Sequence, residues 1–267
     1  MLFADRLVVV LGGGDLATGA VARLHRAGFP VVVLELDPPL SVRRTVAVST
    51  AITHGTTEVE DLVARRCESP HEAVVAARRG TIAVMVGPEL PDFADPVEAV
   101  VDARMAKRNL GVTRDDAPLV VGLGPGFTAG SDCHAVVETM RGHHLGRVIW
   151  DGEAARNTGV PGMIGGESEF RVLRAEVSGE VSWDVDFGEH VVREQALGKV
   201  GERTVRALTN GLVRGLIAPG SIVEAGLKIG DVDPRAAASA CWEISDKALA
   251  VGGGVLEAVL THLNRAS

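Results

Sequence analysis

Tyrosine is absent from the 267 residues, and aromatic side chains make up only 3% of the chain. The formal net charge is -8 at pH 7. Non-specific nucleic-acid binding depends on a basic surface and on aromatic side chains that stack on bases. The composition therefore argues against nucleic acid as a partner.

Cysteine is also scarce. The three cysteines, Cys67, Cys133 and Cys241, are widely spaced, which argues against a disulfide framework and a CxxC metal site and favours a reducing cytoplasm. No apolar run approaches the roughly 20 residues of a membrane-spanning helix, so no membrane segment is expected. The opening MLFADRLVVVLGGGD carries an early acidic residue and runs into a glycine loop, which predicts a first β-strand instead of a signal peptide.

Glycine, by contrast, is abundant, with 32 residues. Two glycine loops share one context: LVVVLGGGDLATG at residues 7–19 and LVVGLGPGFTAG at residues 119–130. Each follows a short apolar run and opens a segment with helical periodicity. Such a loop leaves backbone N–H groups unpaired at a helix start, where the dipole adds positive charge, so it suits phosphate. The two loops predict a protein that holds a phosphate-bearing small molecule.

The first loop lies in a predicted βαβ unit, with strands at 7–11 and 31–36 and a helix at 16–27. The candidate loop residues are Gly12, Gly13, Gly14, Asp15 and Ala17. They fit the G-x-G-x-x-G/A pattern of dinucleotide-binding folds, and Glu35 ends the second strand, where a carboxylate can bond a ribose hydroxyl. This arrangement predicts an NAD-like or other nucleotide ligand. The alternative is that the glycines only permit a tight turn.

The rest of the first half alternates in the same way. Strands are predicted at 46–53, 82–86 and 119–123, and helices at 70–79 and 96–107. Strands separated by helices indicate a parallel sheet with right-handed crossovers, here a Rossmann-like α/β fold. Because ligands of such sheets bind at the carboxyl ends of the strands, we expect both glycine loops to face one crevice.

A dense group of polar residues follows the second loop. With a serine or aspartate as N-cap, the pattern predicts a helix on which His134, Glu138 and Arg141 share one face. Cys133 would lie near the helix start, where the dipole stabilises a thiolate, although a buried thiol is the alternative. His134 and Glu138 are one turn apart, but two ligands do not make a site, so no metal is assigned. Paired helix charges are the simpler interpretation.

Residues 171–232 contain an internal duplication. An offset of 32 residues aligns pairs of turn glycines, Gly179 with Gly211, Gly188 with Gly220 and Gly198 with Gly230. Each copy has alternating apolar residues, so each is a set of short strands that must pack on its twin. This predicts a small β-sandwich with approximate two-fold symmetry.

The duplicated unit resembles the biotinyl/lipoyl-type barrel-sandwich hybrid, in which two similar halves carry a modified lysine on a hairpin. Lys199 lies near the hairpin between the halves, but its surroundings, GKVGER, contain neither Met-Lys-Met nor Asp-Lys-Ala. We therefore expect no carrier lysine. The unit is expected to pack against the α/β domain or to mediate association, including formation of a homo-oligomer.

The C-terminal segment is predicted to be helical from Ser245 and contains three consecutive glycines at 252–254. Each costs a helix about 1 kcal/mol relative to alanine. A break or very close packing is therefore expected, and a helix restarting at Val255 would make the triplet a third loop. The predicted division is an α/β domain at 1–168, an inserted β-sandwich at 169–233 and a C-terminal helical segment at 234–267.

Several segments that occur in order over nearly the full length carry a family resemblance: GGGDLATG, VVDARMAKRN, GLGPGFTAGSDCHAVVETMRGHHLGRVI, NTGVPG, GLVRGLI, KIGDVDPR and ISDKALAVGGGVLEAVL. The chain resembles the YqeB family, accessory proteins of the selenium-dependent molybdenum hydroxylase system. The resemblance implies a role in maturing a client molybdenum hydroxylase, by handling a molybdopterin-type cofactor or its terminal sulfur or selenium ligand.

The resemblance also implies site residues. One phosphate would bind at residues 12–17, and a second at Gly124, Gly126, Thr128 and Gly130. The crevice would be lined by His134, Glu138, Arg141 and His143. Asn157 would fix a polar edge of the ligand, with an Asn-x-Gly turn as the alternative. The candidate catalytic residues are Cys133, His134 and Glu138, and Arg141 would neutralise phosphate charge.

Two other functions stay open at this point. An NAD-dependent oxidoreductase would use the first loop and Glu35, but the chain has no Tyr-x-x-x-Lys or comparable proton-transfer pair. A non-catalytic adaptor would bind the client hydroxylase through the β-sandwich.

Overall fold

The structure is a computed structural model that describes residues 1–156, 170–234 and 237–266. The chain divides into two compact units. An α/β unit contains Met1–Pro39, Ala47–Asn157 and Ile244–Ser267, and a β-rich unit contains Leu40–Val46 and Thr158–Glu243. This division differs from the predicted one, because residues 40–46 and 234–243 group with the β-rich unit.

The α/β unit is built around one large sheet. Its strands and helices are β1 Leu7–Leu11, α1 Asp15–Arg26, β2 Val31–Glu35, α2 Thr50–His54, β3 Thr56–Val59, β4 Leu62–Arg66, α3 Pro70–Arg78, β5 Ile82–Val86, β6 Val97–Asp102, β7 Leu119–Leu123, β8 Thr128–Ala129, β9 Ala135–Val137, β10 Val148–Ile149, β11 Gly152–Glu153 and, near the C-terminus, α4 Asp246–Ala266.

Nine strands form the sheet in the order β10-β9-β7-β6-β1-β2-β5-β4-β3. Every neighbouring pair from β9 to β4 is parallel, and β10 and β3 are antiparallel edge strands. The order reverses direction at β1, since β2 and β5 extend to one side and β6, β7 and β9 to the other. The carboxyl edge of the sheet is the edge where the parallel strands end, at Leu11, Glu35, Asp102, Leu123 and Val137. The amino edge is the opposite one.

Two predicted elements of the first half are wrong. The predicted helix at 96–107 is the strand β6, whose Val100 and Val101 are completely buried, with β1 and β7 on either side in the sheet. An apolar run buried on both faces shows no alternation, so its periodicity does not separate strand from helix. The predicted strand at 46–53 ends in the short helix α2, whose Ala51 and Ile52 are buried.

The helix α4 runs without a break through the glycine triplet, so the predicted interruption and third loop are wrong and the close-packing alternative is confirmed. A Cβ at Gly252 would lie 2.2 Å from the carbonyl oxygen of Gly19 in α1, and a Cβ at Gly19 would lie 2.2 Å from that of Ala248. Gly254 packs equally closely on Gly146. Gly19 and Gly252 let the backbones of α1 and α4 touch, and Gly254 lets α4 contact the turn at Gly146.

The β-rich unit has two four-stranded sheets, β12-β19-β17-β14 and β16-β15-β13-β18. The strands are β12 Val172–Arg174, β13 Gly179–Trp183, β14 His190–Val191, β15 Ala196–Val200, β16 Arg203–Arg206, β17 Gly211–Leu216, β18 Ile222–Val223 and β19 Lys228–Asp233. Their inner faces form one apolar core that includes Leu197, Val213 and Ile229.

The internal duplication is confirmed. The first four strands, β12 to β15, correspond in order to β16 to β19, at the offset seen between Gly179 and Gly211. Exchanging each strand for its equivalent converts the order of one sheet into that of the other, so each sheet contains strands from both copies. Lys199 lies within β15, opposite Ser182 and Thr204. The assignment to the biotinyl/lipoyl type remains a prediction.

Candidate functional site

The first glycine loop joins β1 to α1 at the carboxyl edge, where the strand order reverses. Gly14 is the N-cap of α1 and, having no side chain, supplies no side-chain cap to this helix. The N–H of Gly14 donates to no acceptor among the described residues. Within the described part of the chain, the start of α1 therefore presents an N–H group without an acceptor and the positive end of the helix dipole.

Two carboxylates lie at the same loop. Glu35, at the end of β2, accepts hydrogen bonds from the N–H groups of Gly13 at 2.7 Å and Leu36 at 2.8 Å. Oδ1 of Asp15 accepts from the N–H of Leu16 at 2.9 Å. Glu35 thus lies beside the loop as its spacing predicted, but its carboxylate is bonded to the loop itself. A ribose contact stays a prediction.

The structural reason for glycine differs among the three positions of the first loop, Gly12, Gly13 and Gly14. Gly12 has φ +90°, and a Cβ there would lie 3.1 Å from the backbone of Arg104, while one at Gly13 would lie 3.0 Å from the backbone N of Ser49. The tight-turn alternative accounts for these two. Gly14 has φ -68° and ψ -176°, which any residue can adopt, so backbone shape does not require glycine there. Ala17 is buried in α1.

The segment after β6, residues 103–108, lies against both glycine loops, and we call it the β6 loop. Its start at Arg104 packs on Gly12, and its end packs on Gly126, whose Cβ would lie 2.5 Å from the backbone N of Arg108. The buried carboxylate of Asp102 anchors the loop, because its Oδ1 accepts from the N–H of Arg104 at 3.1 Å and it forms an ion pair with the same arginine.

The β6 loop carries two cations, Lys107 and Arg108. The sequence left Lys107 open as either a ligand contact or part of a salt-bridged helix face, and it did not place Arg108 at the site. Lys107 and Arg108 are exposed, and neither forms a salt bridge with any residue in the described ranges. Lys107 has φ +60°, a left-handed conformation that is unfavourable for a non-glycine residue. The available signal was a basic pair a few residues beyond a strand end, which the mistaken helix at 96–107 concealed.

Only part of the second glycine loop shares the carboxyl edge. Gly124 follows β7 directly, and its N–H donates to the carbonyl that ends β9 at 2.9 Å. Beyond Gly126 the chain turns back through β8, and the carbonyl of Gly130 accepts from Arg114, which immediately precedes β7 in a short 3-10 helix, at 3.1 Å. Thr128 and Gly130 therefore lead towards the amino edge, away from the first loop.

The helix predicted after the second loop is wrong. Residues 135–137 form β9, which is parallel to β7 and completely buried. His134 and Glu138 precede and follow this strand, so they lie at opposite edges of the sheet. Four strand residues correspond to about 13 Å. The two side chains are therefore not brought together in one site.

His134 lies at the amino edge. Its Nδ1 accepts a hydrogen bond from the N–H of Val120 at 3.0 Å. Its ring contributes to an open cleft of about 740 Å³ that is lined mainly by residues 90–97 and 114–118. Burial lowers the pKa of His134, and the nearby charge of Arg114 lowers it further. Both effects favour the neutral imidazole, which lies at the amino edge, away from Gly12 and Gly124 at the carboxyl edge.

Cys133 is completely buried, and its Sγ–H donates to the carbonyl of Ala135 at 3.3 Å. Burial raises the pKa of this thiol to about 11. Burial also raises the pKa of the thiols of Cys67 and Cys241. A thiolate stabilised by a helix start is therefore wrong for Cys133, because no helix begins there, and the buried-thiol alternative is confirmed.

Burial of the Cys133 thiol is expected to lower the free energy of unfolding as the pH rises into the alkaline range. Because its pKa rises from 9.0 to about 11 on folding, its stabilising contribution is complete below the lower value and is lost as pH rises through the higher one. Between these values the free energy of unfolding should fall more steeply for the wild type than for Cys133→Ala, measured by urea denaturation. Equal slopes would contradict a buried thiol.

The remaining predicted residues lie after β9. The carboxylate of Glu138 is buried and accepts from the N–H groups of Met140 at 2.6 Å and Ala155 at 2.8 Å. Arg141 pairs with Asp246 at the start of α4, at 2.9 Å. These contacts organise the loop after β9 and leave the catalytic and phosphate roles as predictions. His143 is exposed, and Asn157 lies outside the described residues.

The part of the chain that the structure describes contains no cluster of three or more His, Cys, Asp or Glu side chains suited to a metal ion. None of its helices combines the length and apolar character needed to span a membrane.

Solved structures similar to this chain have low scores. One is an aspartoacylase family protein from Mesorhizobium loti, 10% identical, with 85% of this chain and 84% of that chain covered and a TM-score of 0.30. Another is a succinylglutamate desuccinylase/aspartoacylase from Rhodobacter sphaeroides, 15% identical, with 85% of each chain covered and a TM-score of 0.28. Scores this low carry no conclusion about this chain.

Sequence comparison is more informative, although no family model matches the chain. A protein of Escherichia coli K12 named "Uncharacterized protein YqeB" is 48% identical over 262 residues, which cover 97% of this chain and 48% of that protein. The chain thus spans about half the length of this relative. The identity supports the placement of this chain in the YqeB family.

Proposed function

We propose that the α/β unit binds a phosphate-bearing cofactor, of the molybdopterin type or a nucleotide, at the carboxyl edge between β1 and β6. The strand order β5-β2-β1-β6-β7-β9 is that of a doubly wound, Rossmann-like sheet, whose ligands bind where the order reverses. The observation that carries the proposal is that the β6 loop packs on Gly12 of the first loop through Arg104 and on Gly126 of the second loop through Lys107 and Arg108. Lys107 and Arg108 are exposed cations without a carboxylate partner among the described residues.

The cations of the β6 loop favour an anion at this edge, while the carboxylates of Asp15 and Glu35 oppose one at the first glycine loop. The chain as a whole is acidic, with a formal charge of -8, and most of the other arginines of the described α/β unit are paired with carboxylates. Lys107 and Arg108 are two neighbouring cations in one loop that lack such a partner among the described residues. A phosphate there would gain charge-assisted hydrogen bonds from both the backbone and the side chains.

The dimensions suit a ligand larger than phosphate. One strand, β6, separates β1 from β7, so the Gly12 and Gly124 ends of the two loops are about 10 Å apart. A nucleotide or a molybdopterin-type cofactor carries its phosphate several bonds away from its ring system and can contact both. The proposal thus retains Gly124 and Gly126 and leaves out Thr128 and Gly130.

The YqeB resemblance gives this binding a biological setting. In the proposal, the protein is an accessory factor in the maturation of selenium-dependent molybdenum hydroxylases and holds the cofactor for a client hydroxylase. The β-rich unit is of barrel-sandwich hybrid type and contacts the client. No catalytic step is assigned, because Cys133 is buried, His134 lies at the amino edge and the carboxylate of Glu138 is bonded to backbone N–H groups.

The proposal is tested by isothermal titration of the full chain with a molybdopterin-type cofactor, ADP and NAD. The Lys107→Gln, Arg108→Gln double variant should raise the Kd of the tightest ligand by at least about 10-fold, since hydrogen bonds to charged groups contribute about 1.5 to 3 kcal/mol. The control is Arg79→Gln, which removes an exposed charge just before β5, at the amino edge. Its Kd should match that of the wild type.

Failure of the wild type to bind all three ligands would contradict the proposal. So would equal losses in the double variant and in Arg79→Gln, because a general effect of net charge would then explain the binding.

A further inference from the structure

Glu35 engages the first glycine loop as a bound anion would. Its Oε2 accepts from the N–H of Gly13 at 2.7 Å, and its Oε1 accepts from the N–H of Leu36 at 2.8 Å. Both carboxylate oxygens are therefore bonded to backbone N–H groups. One of these N–H groups belongs to the loop at which phosphate binding is proposed.

We propose that Glu35 is an internal competitor of phosphate, bonded to Gly13 in the ligand-free protein and displaced when a ligand binds. This inference rests on the proposed function. A carboxylate and a phosphate both accept charge-assisted hydrogen bonds, and two anions cannot share the single N–H of Gly13. Gly13 is buried while Glu35 is half-buried, so the side chain has access to solvent when it leaves the loop.

The competition selects a class of ligand. A bare phosphate that takes the N–H of Gly13 must break the bond between Glu35 and Gly13, and the displaced carboxylate then lies beside another negative charge. A ligand that carries hydroxyl or amine donors near its phosphate supplies new hydrogen bonds to that carboxylate. The site is therefore selective for phosphate esters with neighbouring donors, and it rejects inorganic phosphate and pyrophosphate by repulsion.

Inorganic pyrophosphate is the probe that isolates the effect, because it has no carbon-bound donor groups. Its binding is measured by isothermal titration to the wild type, Glu35→Gln and Glu35→Ala. The matched control is Asp37→Asn, because Asp37 follows the same strand and pairs with Arg66 at 3.3 Å without a bond to the loop. It removes one nearby negative charge and leaves the contact at Gly13 intact.

The Kd for pyrophosphate should fall by at least about 10-fold in both Glu35 variants, which corresponds to about 1.4 kcal/mol. In Asp37→Asn it should change by less than about 2-fold, as for an exposed ion pair. Unchanged or weaker pyrophosphate binding in the Glu35 variants, with ADP still bound by the wild type, overturns the inference and leaves the proposed function standing. Absence of any binding of pyrophosphate and ADP at millimolar concentration, in all four proteins, overturns both.

A second measurement is independent of ligands. In the ligand-free protein the amide hydrogen of Gly13 should exchange faster in Glu35→Ala than in Asp37→Asn, because only the first variant removes its acceptor. Thermal denaturation establishes that both variants are folded. Equal protection of the Gly13 amide would show that Glu35 does not occupy the loop, and this also overturns the inference.

Discussion

Replacing Gly252 by alanine is expected to lower the free energy of unfolding by about 3 kcal/mol, whereas the same change at Gly253 raises it by about 1 kcal/mol. A Cβ at Gly252 would lie 2.2 Å from the carbonyl oxygen of Gly19, and this backbone contact is relieved only if α1 and α4 separate. A Cβ at Gly253 would have nothing within 4 Å among the described residues, so alanine only improves helix propensity there. Urea denaturation followed by circular dichroism measures both changes.

Gly252→Ala and Gly253→Ala serve as matched controls for each other, because the chemical change is identical and the two positions are adjacent in one helix. Gly19→Ala should repeat the loss from the other helix, since its Cβ would lie 2.2 Å from the carbonyl oxygen of Ala248. Equal stabilisation by Gly252→Ala and Gly253→Ala would show that α1 and α4 do not pack this closely in solution.

Gly14→Asp is expected to abolish binding of the phosphate-bearing ligand, with a Kd at least about 100-fold higher, while the fold is kept. The φ of -68° and ψ of -176° at Gly14 suit a capping aspartate, which is among the most favourable N-cap residues. Its carboxylate would accept the hydrogen bonds of the first turn of α1 and place a negative charge where the phosphate is proposed to bind. Isothermal titration with ADP measures the loss, and thermal denaturation reports the fold.

The matched variant is Gly14→Ser, which caps the helix without a charge. It should bind ADP more tightly than Gly14→Asp, and thermal denaturation compares the stability of the two variants. If both variants bind ADP with the same Kd as the wild type, the phosphate does not contact the start of α1, and the proposed position of the ligand is wrong.

The sequence predicted the first βαβ unit well because its signals are local. An apolar run, a glycine turn and helical spacing place β1, α1 and β2 within one residue of their observed ends. The strand β6 was mistaken for a helix because its assignment depends on pairing with β1 and β7, which are distant in sequence. Its buried apolar residues Ala99, Val100 and Val101 are consecutive, and a short run of this kind fits both structures.

The internal duplication was predictable for a different reason. Repeated turn glycines record the strand boundaries of both copies, and the two sheets have equivalent strand orders. The intertwining of the copies, with strands from each in both sheets, follows from long-range pairing such as that of β12 with β19. No local pattern contains that information.

The sequence predicted the contacts of the candidate site only where they join neighbouring elements of one βαβ unit. Glu35 meets Gly13 because a strand end and a strand-to-helix loop adjoin in any βαβ unit. His134 and Glu138 were grouped wrongly because a spacing of four residues gives one helix face but opposite ends of a buried strand. Lys107 and Arg108 reach the site through backbone packing on Gly126, a tertiary contact that composition and periodicity do not encode.

The most direct test of the central claim is a crystal structure of the full chain with bound ADP. The account predicts the phosphates within hydrogen-bond distance of the N–H of Gly14 and beside Lys107, with Glu35 rotated away from Gly13. A nucleotide found at the amino edge, in the cleft beside His134, would contradict it.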